Sequence, residues 1–572
     1  MTLIGNANAF VGLTIDLRTI GPVPVIVGQG ICGLVGLSTR GPVAVANPLG
    51  IPSDAAKQYY SGDLKVAIET AFAQGCPVIY AVRVLGVGYA KATASVNDSG
   101  TVPAPVGTIS AYSEGAWGNS VTVKITEGNF DSTDVEIFPG DGTVGPYALQ
   151  MCDLTTDSTQ PSGFPIVDSV KVNNVAYTLT NHSGSLANNT VYVDSANGTL
   201  TFYTNQAPAP TDLISVSLKY HTKNFTVSDN ISTEVHNNVR SLLALSAAFD
   251  NSSLVSFAAG PGATHLPAVN NLSLTGGNDG TTITPNDWLN ALNILQTGIL
   301  PSSPTTVAIT SNTSNPLDAS TDNDLIAVLD GWSAYMADIF EPCQCFVAAN
   351  PGLAVADLLE LASGLNNKWL SIEGNGWDNS SVPINLAVAR AAKEAAVSLG
   401  TSCAEAQNAI NGATGLLYQF NQDECDALTR SGIDVIIKQR GIKPYVGITT
   451  ATDWQFMRTV DMRTVNYVIV ALNFICQAYY FKRNTPQVRS ALQASIEAML
   501  KEQVTLQNVL AYAIKVYPDI DPNRVNIDLT MENIGHIERI RTVMSVGIMV
   551  TATTTSNTAN SSTFTPSGYT PV

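Results

Sequence analysis

The feature that most constrains the fold of this 572-residue chain is a change of hydrophobic pattern along its length. Residues 21–95 combine buried-type strands, VPVIVG (23–28), CGLVGLSTRGPV (32–43) and PVIYAVRVL (77–85), with a helical region at 55–75. From 96 to 270, short runs of alternating apolar and polar residues are separated by Pro, Gly, Asn and Asp. The α/β pattern then resumes. This order predicts an α/β (α+β) multidomain core with an inserted all-β domain.

The individual elements follow from periodicity and turn residues. The strands predicted in the insertion are 121–128, 169–180, 189–204 and 214–222, and Ala-Asn-Gly-Thr at 196–199 predicts a hairpin turn. Beyond the insertion, helices near 286–299, 320–338, 353–364 and 384–399 alternate with strands at 307–311, 343–349 and 368–374, as a mostly parallel sheet requires. The remaining predictions are a long buried helix at 465–481, a helix-rich stretch at 486–516, and strands at 515–518, 524–531 and 540–552.

We divide the chain at the points where its composition changes. The resulting segments are an N-terminal arm (1–20), a first core part (21–95), the inserted β-rich outer domain (96–270), an α/β domain (271–430), a C-terminal core (431–550) and a flexible C-terminal tail (551–572). The tail contains 22 residues without one charge or a helical pattern. It should be disordered unless a partner orders it. The first 20 residues also show no helical periodicity, so both ends are expected to be extended arms.

The net charge of the chain and its distribution argue against nucleic acid as a partner. The net charge is −18, whereas a nucleic-acid-binding protein needs a basic face. Residues 96–275 carry 15 acidic and 5 basic residues, a net −10, while residues 430–550 carry 14 basic and 10 acidic residues, a net +4. Only 13% of all residues are charged, about half the usual share. Such a surface suits a protein packed against neighbours, or a secreted β-rich adhesin.

The residues that bind metals and cofactors form no recognisable pattern in this chain. The eight cysteines are scattered, and the pair Cys343 and Cys345 lacks the second pair that a zinc site requires. The five histidines form no spaced pair with carboxylates, and no G-x-S-x-G nucleophile motif occurs. We therefore expect no catalytic residues, no metal and no cofactor. No segment reaches the roughly 18 to 20 apolar residues of a membrane helix, so no membrane insertion is expected.

Two glycine-rich segments fit two interpretations, a phosphate-binding loop or a simple turn. The first, Gly28-Gln29-Gly30-Ile31-Cys32-Gly33, matches G-x-G-x-x-G, but the residues after it do not form the helix that a dinucleotide site needs. The second, LTGGNDG (274–280), precedes a helix but is not followed by Gly-Lys-Ser/Thr. Glycine also supplies the positive φ angles of sharp turns, and an Asp in such a turn usually closes it through its side chain. We interpret both segments as turns.

Several stretches together resemble the tail sheath proteins of contractile phages and related injection systems, most closely the Mu-like tail sheath group. The first is GLVGLSTRGPVAVANPLGIPSDAAKQYYSGDLKVAIETAFAQGCPVIYAVRV (33–84), which runs from a Gly-Pro turn through a helix to an aliphatic-Arg-Val strand. The motif LTGGNDG is similar to a family signature for the return from the inserted domain to the core. LTRSGIDVI (428–436), WQFMRTVDMRTVNYVIVALNF (454–474) and DPNRVNIDLTMENIGHIERIRTVMSVGI (521–548) follow in the family's order.

The resemblance implies a structural, non-enzymatic protein of the virion, assembled in the host cytoplasm. Its implied partners are other copies of itself, in stacked hexameric rings joined by exchange of arms, the tail tube protein, and the baseplate and tail terminator proteins. It further implies a domain joint at Gly276, Gly277, Asp279 and Gly280, and inward-facing tube or inter-subunit contacts at Arg458, Arg463, Lys482 and Arg483.

Three other functions are alternatives to a phage tail sheath. The sheath of a phage-derived injection particle would show the same sequence features. An enzyme on an α/β core would need a cluster of polar residues, and a surface-layer or adhesin protein would need a secretion signal, which residues 1–28 do not resemble.

Overall fold

A computed structural model describes the chain over residues 30–98, 104–128, 132–149, 156–157, 164–165, 167–180, 183–194, 198–261, 263, 265–299, 305–310, 319–350 and 352–535. The predicted arms at 1–20 and 551–572 and the predicted strands at 23–28 and 540–552 lie outside these residues.

Ten α-helices form in the described part of the chain. They are α1 (Pro52–Tyr59), α2 (Asp63–Ala73), α3 (Leu242–Asp250), α4 (Pro285–Ile299), α5 (Ala319–Asp338), α6 (Val355–Leu361), α7 (Leu386–Ala396), α8 (Gln422–Arg430), α9 (Thr459–Gln477) and α10 (Pro486–Thr505). The four helices predicted between 286 and 399 are confirmed as α4 to α7.

The strands of the same residues are β1 (Ile31–Gly36), β2 (Asn47–Leu49), β3 (Val78–Arg83), β4 (Thr93–Asn97), β5 (Pro105–Ala111), β6 (Thr122–Glu127), β7 (Ser132–Pro139), β8 (Tyr147–Ala148), β9 (Thr156–Asp157), β10 (Phe164–Pro165), β11 (Val167–Val172), β12 (Val175–Thr180), β13 (Thr190–Asp194), β14 (Thr199–Phe202), β15 (Leu213–Tyr220), β16 (Lys223–Ser228), β17 (Thr233–Val239), β18 (Val255–Ala259), β19 (Asn270–Ser273), β20 (Thr306–Ile309), β21 (Gln344–Ala348), β22 (Leu370–Glu373), β23 (Ile433–Asp434), β24 (Ile436–Lys438), β25 (Ile442–Pro444), β26 (Val509–Pro518) and β27 (Val525–Asn533).

A seven-stranded sheet in the order β2-β3-β1-β20-β21-β22-β23 forms the centre of the molecule. All its pairs are parallel except β2 with β3. The predicted parallel sheet is thus confirmed, and it is assembled from two distant parts of the sequence.

Helices cover both faces of this sheet. Because successive side chains of a strand point to opposite faces, Ile31 and Val35 of β1 pack in one apolar layer while Cys32 and Leu34 pack in the other. The first layer includes residues of α4, α5, α6 and α8, and the second includes residues of α1, α2 and α7. Burial on both faces explains why these strands are continuously apolar.

The last glycine of the G-x-G-x-x-G segment has a packing role in this layered core. Gly33 lies within β1, so the interpretation of this segment as a turn is wrong for residues 31–33, which are strand because they are continuously buried in the sheet. A Cβ on Gly33 would lie 2.5 Å from Cδ2 of Leu295 in α4. The glycine is therefore needed for close contact between helix and sheet.

The chain leaves the central sheet after β3 and returns to it at β20, and most of the residues between form antiparallel sheets. One has the order β7-β15-β11-β12-β13-β14-β8, with a single parallel pair between β12 and β13, and two smaller ones are β17-β16-β6-β19 and β18-β5-β4. β13 and β14 pair antiparallel, as the hairpin prediction required. The apolar clusters of these sheets contain residues from 92 to 274 and share none with the layers of the central sheet.

The C-terminal elements form a further packed group. Helices α9 and α10 contribute buried residues to one cluster, among them Val468, Ala471, Ile496 and Leu500. Alternate residues of the β26–β27 hairpin, including Ile514, pack against that cluster. The predicted buried helix at 465–481 is thus α9, which begins earlier and ends at Gln477.

Three predictions of secondary structure were wrong in detail. Helix α3 lies inside the region predicted to be all-β, because LLALSAAFD is rich in good helix formers and Ser241 caps it by accepting a hydrogen bond from the Ala244 N–H at 3.1 Å. The helical region at 55–75 is two helices, interrupted where Tyr60 and Gly62 have positive φ. The helix-rich stretch at 486–516 ends at Thr505, and the alternating sequence after it forms β26.

We predict that residues 94–274 can be replaced by an Asn-Gly turn without unfolding the central sheet. Thr93 and Thr275 exchange backbone hydrogen bonds at 2.8 and 3.1 Å, so a two-residue hairpin turn can close the gap. The apolar layers of the central sheet contain no residue from the deleted range. Circular dichroism should show cooperative thermal unfolding of the shortened protein. Insoluble product, under conditions where the full-length protein is soluble, would contradict this prediction.

Candidate functional site

The predicted joint at LTGGNDG lies where the chain returns from the antiparallel sheets. Gly276 and Gly280 both have φ of +86°, in the left-handed region that favours glycine. Before and between them, Thr275 pairs with Thr93 and Asn278 pairs with Ala90. The outgoing and returning segments therefore run side by side at this point.

The backbone amides of the motif are already used within the protein. Gly277 N–H donates to Asn119 Oδ1 at 2.8 Å, and Asn278 N–H donates to the Ala90 carbonyl at 3.0 Å. Gly280 N–H donates to Asn278 Oδ1 at 3.0 Å. A phosphate nest needs several free N–H groups that converge on the ligand. The geometry agrees with a turn and not with a phosphate site.

Asp279 does not close its own turn, contrary to the sequence-based interpretation. Asn278 has that role. The Asp279 carboxylate instead accepts a hydrogen bond from the Ala116 N–H at 3.0 Å and lies 3.8 Å from Nη2 of Arg83. It therefore links the returning segment to a loop 163 residues earlier in the chain.

Two glycines allow the segments to cross at this place. A Cβ on Gly280 would lie 2.1 Å from the Gly86 carbonyl oxygen, and a Cβ on Gly86 would lie 1.8 Å from the Thr281 carbonyl oxygen. Gly276 has the same φ as Gly280 but no atom within 4 Å of its Cβ position. Gly280 is thus required for both conformation and space, and Gly276 for conformation alone.

Arg83, at the end of β3, lies beside this turn and is among the largest buried side chains, with 2% of its surface exposed. Its guanidinium donates to the carbonyls of Ser38 and Thr39 at 2.9 Å, of Glu114 at 2.8 Å and of Gly41 at 3.2 Å. Burial lowers its pKa to about 10, so it remains charged at neutral pH. Arg83 is the arginine of the aliphatic-Arg-Val strand in the sequence, but its buried contacts were not predicted.

A second arginine also connects the central core with the antiparallel sheets. Arg40 is buried, and its Nη1 lies 3.2 Å from Oδ2 of Asp229, in the turn between β16 and β17. Its guanidinium lies 4.3 Å from the ring centroid of Tyr60 and 5.5 Å from that of Trp117. Sequence reasoning missed this pair because its members are 189 residues apart.

Arg463 was predicted to be a tube or inter-subunit contact, and the structure contradicts this. It is 3% exposed. Its Nη1 lies 2.7 Å from Oε2 of Glu394, and its Nη2 donates to the Val397 carbonyl at 2.7 Å. Its charge is therefore neutralised inside the protein, and this ion pair anchors α9 to α7.

Arg463 belongs to a buried charge cluster that connects two strands of the central sheet with two helices. The cluster contains Glu373 of β22, Asp434 of β23, Arg390 and Glu394 of α7, and Arg463 of α9. Arg390 lies 2.7 Å from Glu394, 3.6 Å from Asp434 and 3.8 Å from Glu373. Burial, followed by repulsion from Asp434, raises the pKa of Glu373. The cluster contains three carboxylates and two guanidinium groups, so protonation of Glu373 would leave its charges balanced.

The other three predicted contact residues lie near the surface. Arg458, at the start of α9, is partly exposed and lies 4.0 Å from Asp461. Lys482 and Arg483 are exposed in the turn between α9 and α10. The Lys482 ammonium lies 4.4 Å from the ring centroid of Tyr479.

This turn lies beside the turn of the β26–β27 hairpin. The Asn484 side chain donates to the carbonyls of Pro522 at 2.8 Å and Arg524 at 3.1 Å. Phe481 and Ile520 are fully exposed on these two turns. We call the surface formed by Phe481, Lys482, Arg483 and Ile520 the C-terminal tip.

The two neighbouring cysteines belong to the apolar layer on one face of the central sheet. Cys343 and Cys345 are fully buried, with their sulfur atoms 4.0 Å apart. Among the residues that the structure describes, no group of three or more His, Cys, Asp or Glu side chains could hold a metal ion. The helices within those residues include none that is both long and apolar enough to cross a membrane.

Two solved structures of sheath tail proteins have this fold over almost the whole chain. The sheath tail protein from Desulfitobacterium hafniense aligns with a TM-score of 0.51 and 12% identity, covering 91% of this chain and 100% of that protein. The sheath tail protein from Listeria innocua aligns with a TM-score of 0.50 and 13% identity, covering 89% and 96%. No protein-family model and no curated protein matches the chain. The chain thus has the fold of sheath tail proteins, as its resemblance to them led us to expect.

We predict that Gly280→Ala destabilises the protein more than Gly276→Ala. Both alanines must adopt a left-handed conformation, which costs about 1–2 kcal/mol. Only Gly280→Ala also places a methyl group against the Gly86 carbonyl, adding about 1–3 kcal/mol by analogy with overpacked cores. Urea unfolding of the two variants measures the difference directly. Equal losses would show that the crossing of the two segments can relax without cost.

We further predict a pH-dependent gain of stability in Glu373→Gln. The folded-state pKa of Glu373 is raised above its ordinary value of 4.5. Folding therefore favours the protonated form of Glu373. The stability that this preference contributes is fully present below pH 4.5 and is lost as the pH rises through the folded-state pKa. Glutamine keeps the neutral state at every pH, so the stability of the variant relative to wild type should increase as the pH rises above 4.5 towards the raised folded-state pKa of Glu373.

Urea unfolding at several pH values measures this effect, and the exposed Glu532→Gln is the matched control. A difference between wild type and Glu373→Gln that does not change with pH would contradict the proposed neutral state of Glu373.

Proposed function

We propose that this chain is a structural tail sheath protein. It polymerises as stacked rings around a tail tube and contracts to drive the tube through the host envelope during genome delivery. The observation that carries the proposal is the fold shared, over nearly the full length of both chains, with two sheath tail proteins. The alternative is the sheath of a phage-derived contractile injection particle, in which the subunit would act in the same way.

The β26–β27 hairpin supports self-assembly by strand addition. Among the described residues it pairs with no third strand, so no strand pairing covers its two outer edges. One face of the hairpin is already held against α9 and α10. An extended segment from a neighbouring subunit can add to such an edge through backbone hydrogen bonds. The predicted arms at 1–20 and 551–572 are the candidate segments.

The C-terminal tip supports an inward contact with the tube. It combines two fully exposed apolar side chains, Phe481 and Ile520, with the exposed cations Lys482 and Arg483. Exposed apolar groups beside charged side chains are typical of interaction surfaces. Because Asp519 and Asp521 flank Ile520, the cations of the tip lie on the α9–α10 turn alone, and acidic groups of the partner would meet them there. Of the four contacts implied by the family resemblance, Lys482 and Arg483 are retained in this proposal.

The acidic residues 96–270 would form the outer domain and face solvent. Independent apolar clusters support treating it as a separate body. Buried contacts of Arg83 and Arg40 hold its connection to the core, so the joint would keep one orientation while subunits rotate. In that arrangement contraction changes the contacts between subunits and leaves each fold intact. The extended lattice would be a metastable state that relaxes to a wider one.

We predict that the full-length protein, purified alone, forms hollow cross-striated cylinders in negative-stain electron microscopy. Removing residues 1–20 or 553–572 should abolish them and leave a folded, soluble subunit, because strand addition between subunits is lost. Circular dichroism and size-exclusion chromatography check that the truncated subunits fold. Unchanged cylinders from both truncations would exclude assembly by arm exchange.

The double variant Lys482→Glu with Arg483→Glu is the control for these truncations. Its charge reversal lies on the C-terminal tip and leaves the arms intact, so it should form cylinders alone. The tube protein of the same particle should capture the wild-type protein and should not capture this variant. Capture equal to that of wild type would remove the tip from the tube interface.

A further inference from the structure

A cavity of about 180 Å³ lies at the carboxyl end of the central parallel sheet. It is lined in part by Thr310, which directly follows β20, and by Gly62 and Asp63 at the start of α2. Strand β1 lies between β3 on one side and β20 on the other, so the direction of strand addition reverses there. In open α/β sheets, ligands bind at such a reversal, outside the carboxyl ends of the strands.

Four polar side chains of the cavity lining have buried atoms without a hydrogen-bond partner among the described residues. The atoms are Oγ1 of Thr310, Nε1 of Trp377, Nδ2 of Asn385 and Oδ2 of Asp63. Thr310, Trp377 and Asn385 are 1%, 5% and 6% exposed. Buried polar groups in folded proteins are almost always hydrogen-bonded. Four such groups on one cavity therefore require hydrogen-bond partners that the described residues do not supply.

Local structure holds these side chains in place. Asn385 is the N-cap of α7, and its Oδ1 accepts a hydrogen bond from the Val388 N–H at 3.2 Å, so its Nδ2 remains as the available donor. A Cβ on Gly36 would lie 1.8 Å from Thr310 Oγ1, so a glycine at the end of β1 makes room for the hydroxyl. The cavity is thus built from residues whose positions are set by the sheet and by a helix terminus.

The types of available group define the chemistry of the ligand. Trp377 Nε1 and Asn385 Nδ2 are donors, and Asn385 lies at a helix N-terminus, where negative charge is stabilised. Asp63 offers an acceptor, and burial raises the pKa of its carboxyl group to about 6. A cation beside Asp63 would compensate this burial. The ligand should therefore carry an anionic group at one end and a cationic donor at the other.

The size of the cavity limits the ligand further. A cavity of about 150 Å³ holds a molecule of the size of benzene, whereas sites for larger cofactors measure about 300 Å³ or more. A volume of about 180 Å³ excludes a dinucleotide and admits a small amino acid. Apolar contacts from Val66, Ala67 and Pro383 complete the lining.

We propose that this cavity binds a small α-amino acid, with its ammonium group on Asp63 and its carboxylate on the N–H groups of Trp377 and Asn385. The inference is independent of the sheath function, since it rests only on the cavity and its lining. Bound ligand would connect α2, α7 and the end of β20 across the sheet. Such a link would stabilise the folded subunit.

Isothermal titration calorimetry on the full-length protein at neutral pH tests this proposal, with glycine, L-alanine and L-serine as probes. Acetate and methylamine, which each carry one of the two charges, are the control ligands. At least one of the three amino acids should bind with a Kd in or below the millimolar range, and both controls should bind at least about tenfold more weakly. No heat of binding from any of the three amino acids would overturn the proposal and leave water as the occupant.

Two conservative variants locate the binding. Asp63→Asn keeps the size of the side chain but removes its charge. Asn385→Asp keeps an effective N-cap but replaces the Nδ2 donor by an acceptor. Each should weaken amino acid binding at least about tenfold while the protein remains folded by circular dichroism. Wild-type affinity in both folded variants would place the binding elsewhere and refute the assignment.

Discussion

The buried guanidinium of Arg83 is the contact on which the arrangement of this molecule depends. It lies at the end of β3, where the chain leaves the central sheet, and its four carbonyl acceptors belong to the turn at 38–41 and to Glu114. A buried cation is stable only when its hydrogen-bonding groups are satisfied. Those acceptors must therefore converge on Arg83, which holds the loop at Glu114, in the antiparallel region, against the central sheet.

The central sheet and the C-terminal group are connected by a second set of buried charges. Arg390 and Arg463 share Glu394, and Arg390 also approaches Glu373 and Asp434. Removing one partner from such a cluster leaves an unpaired buried charge, typically at a cost of about 3–5 kcal/mol. Relative movement of α9 and the sheet is thus unfavourable. The cluster therefore holds α7, α9 and the sheet together as one rigid unit.

Most of the fold could be predicted from local patterns. The parallel sheet and helices α4 to α7 follow from the spacing of apolar runs, since each strand and helix carries its own periodicity. The errors have local causes too: helix α3 is short, and the break between α1 and α2 depends on the positive φ of Tyr60 and Gly62. The segment at 274–280 was predicted correctly to be a turn, with positive φ at Gly276 and Gly280, but its contact partners were not predicted. Asp279, Ala116 and Arg83 meet only after long stretches of chain have folded.

The sequence by itself determined which segments are strands and helices, where the apolar pattern changes, and the resemblance to tail sheath proteins, because these depend on residues close together in the chain. The tertiary structure decided which charges are buried. Arg463 and Lys482 are equivalent as sequence signals, yet one lies against Glu394 inside the protein and the other is exposed in a turn. It also brought Asp63, Thr310, Trp377 and Asn385 to one cavity. Burial and convergence depend on distant segments, so no local pattern records them.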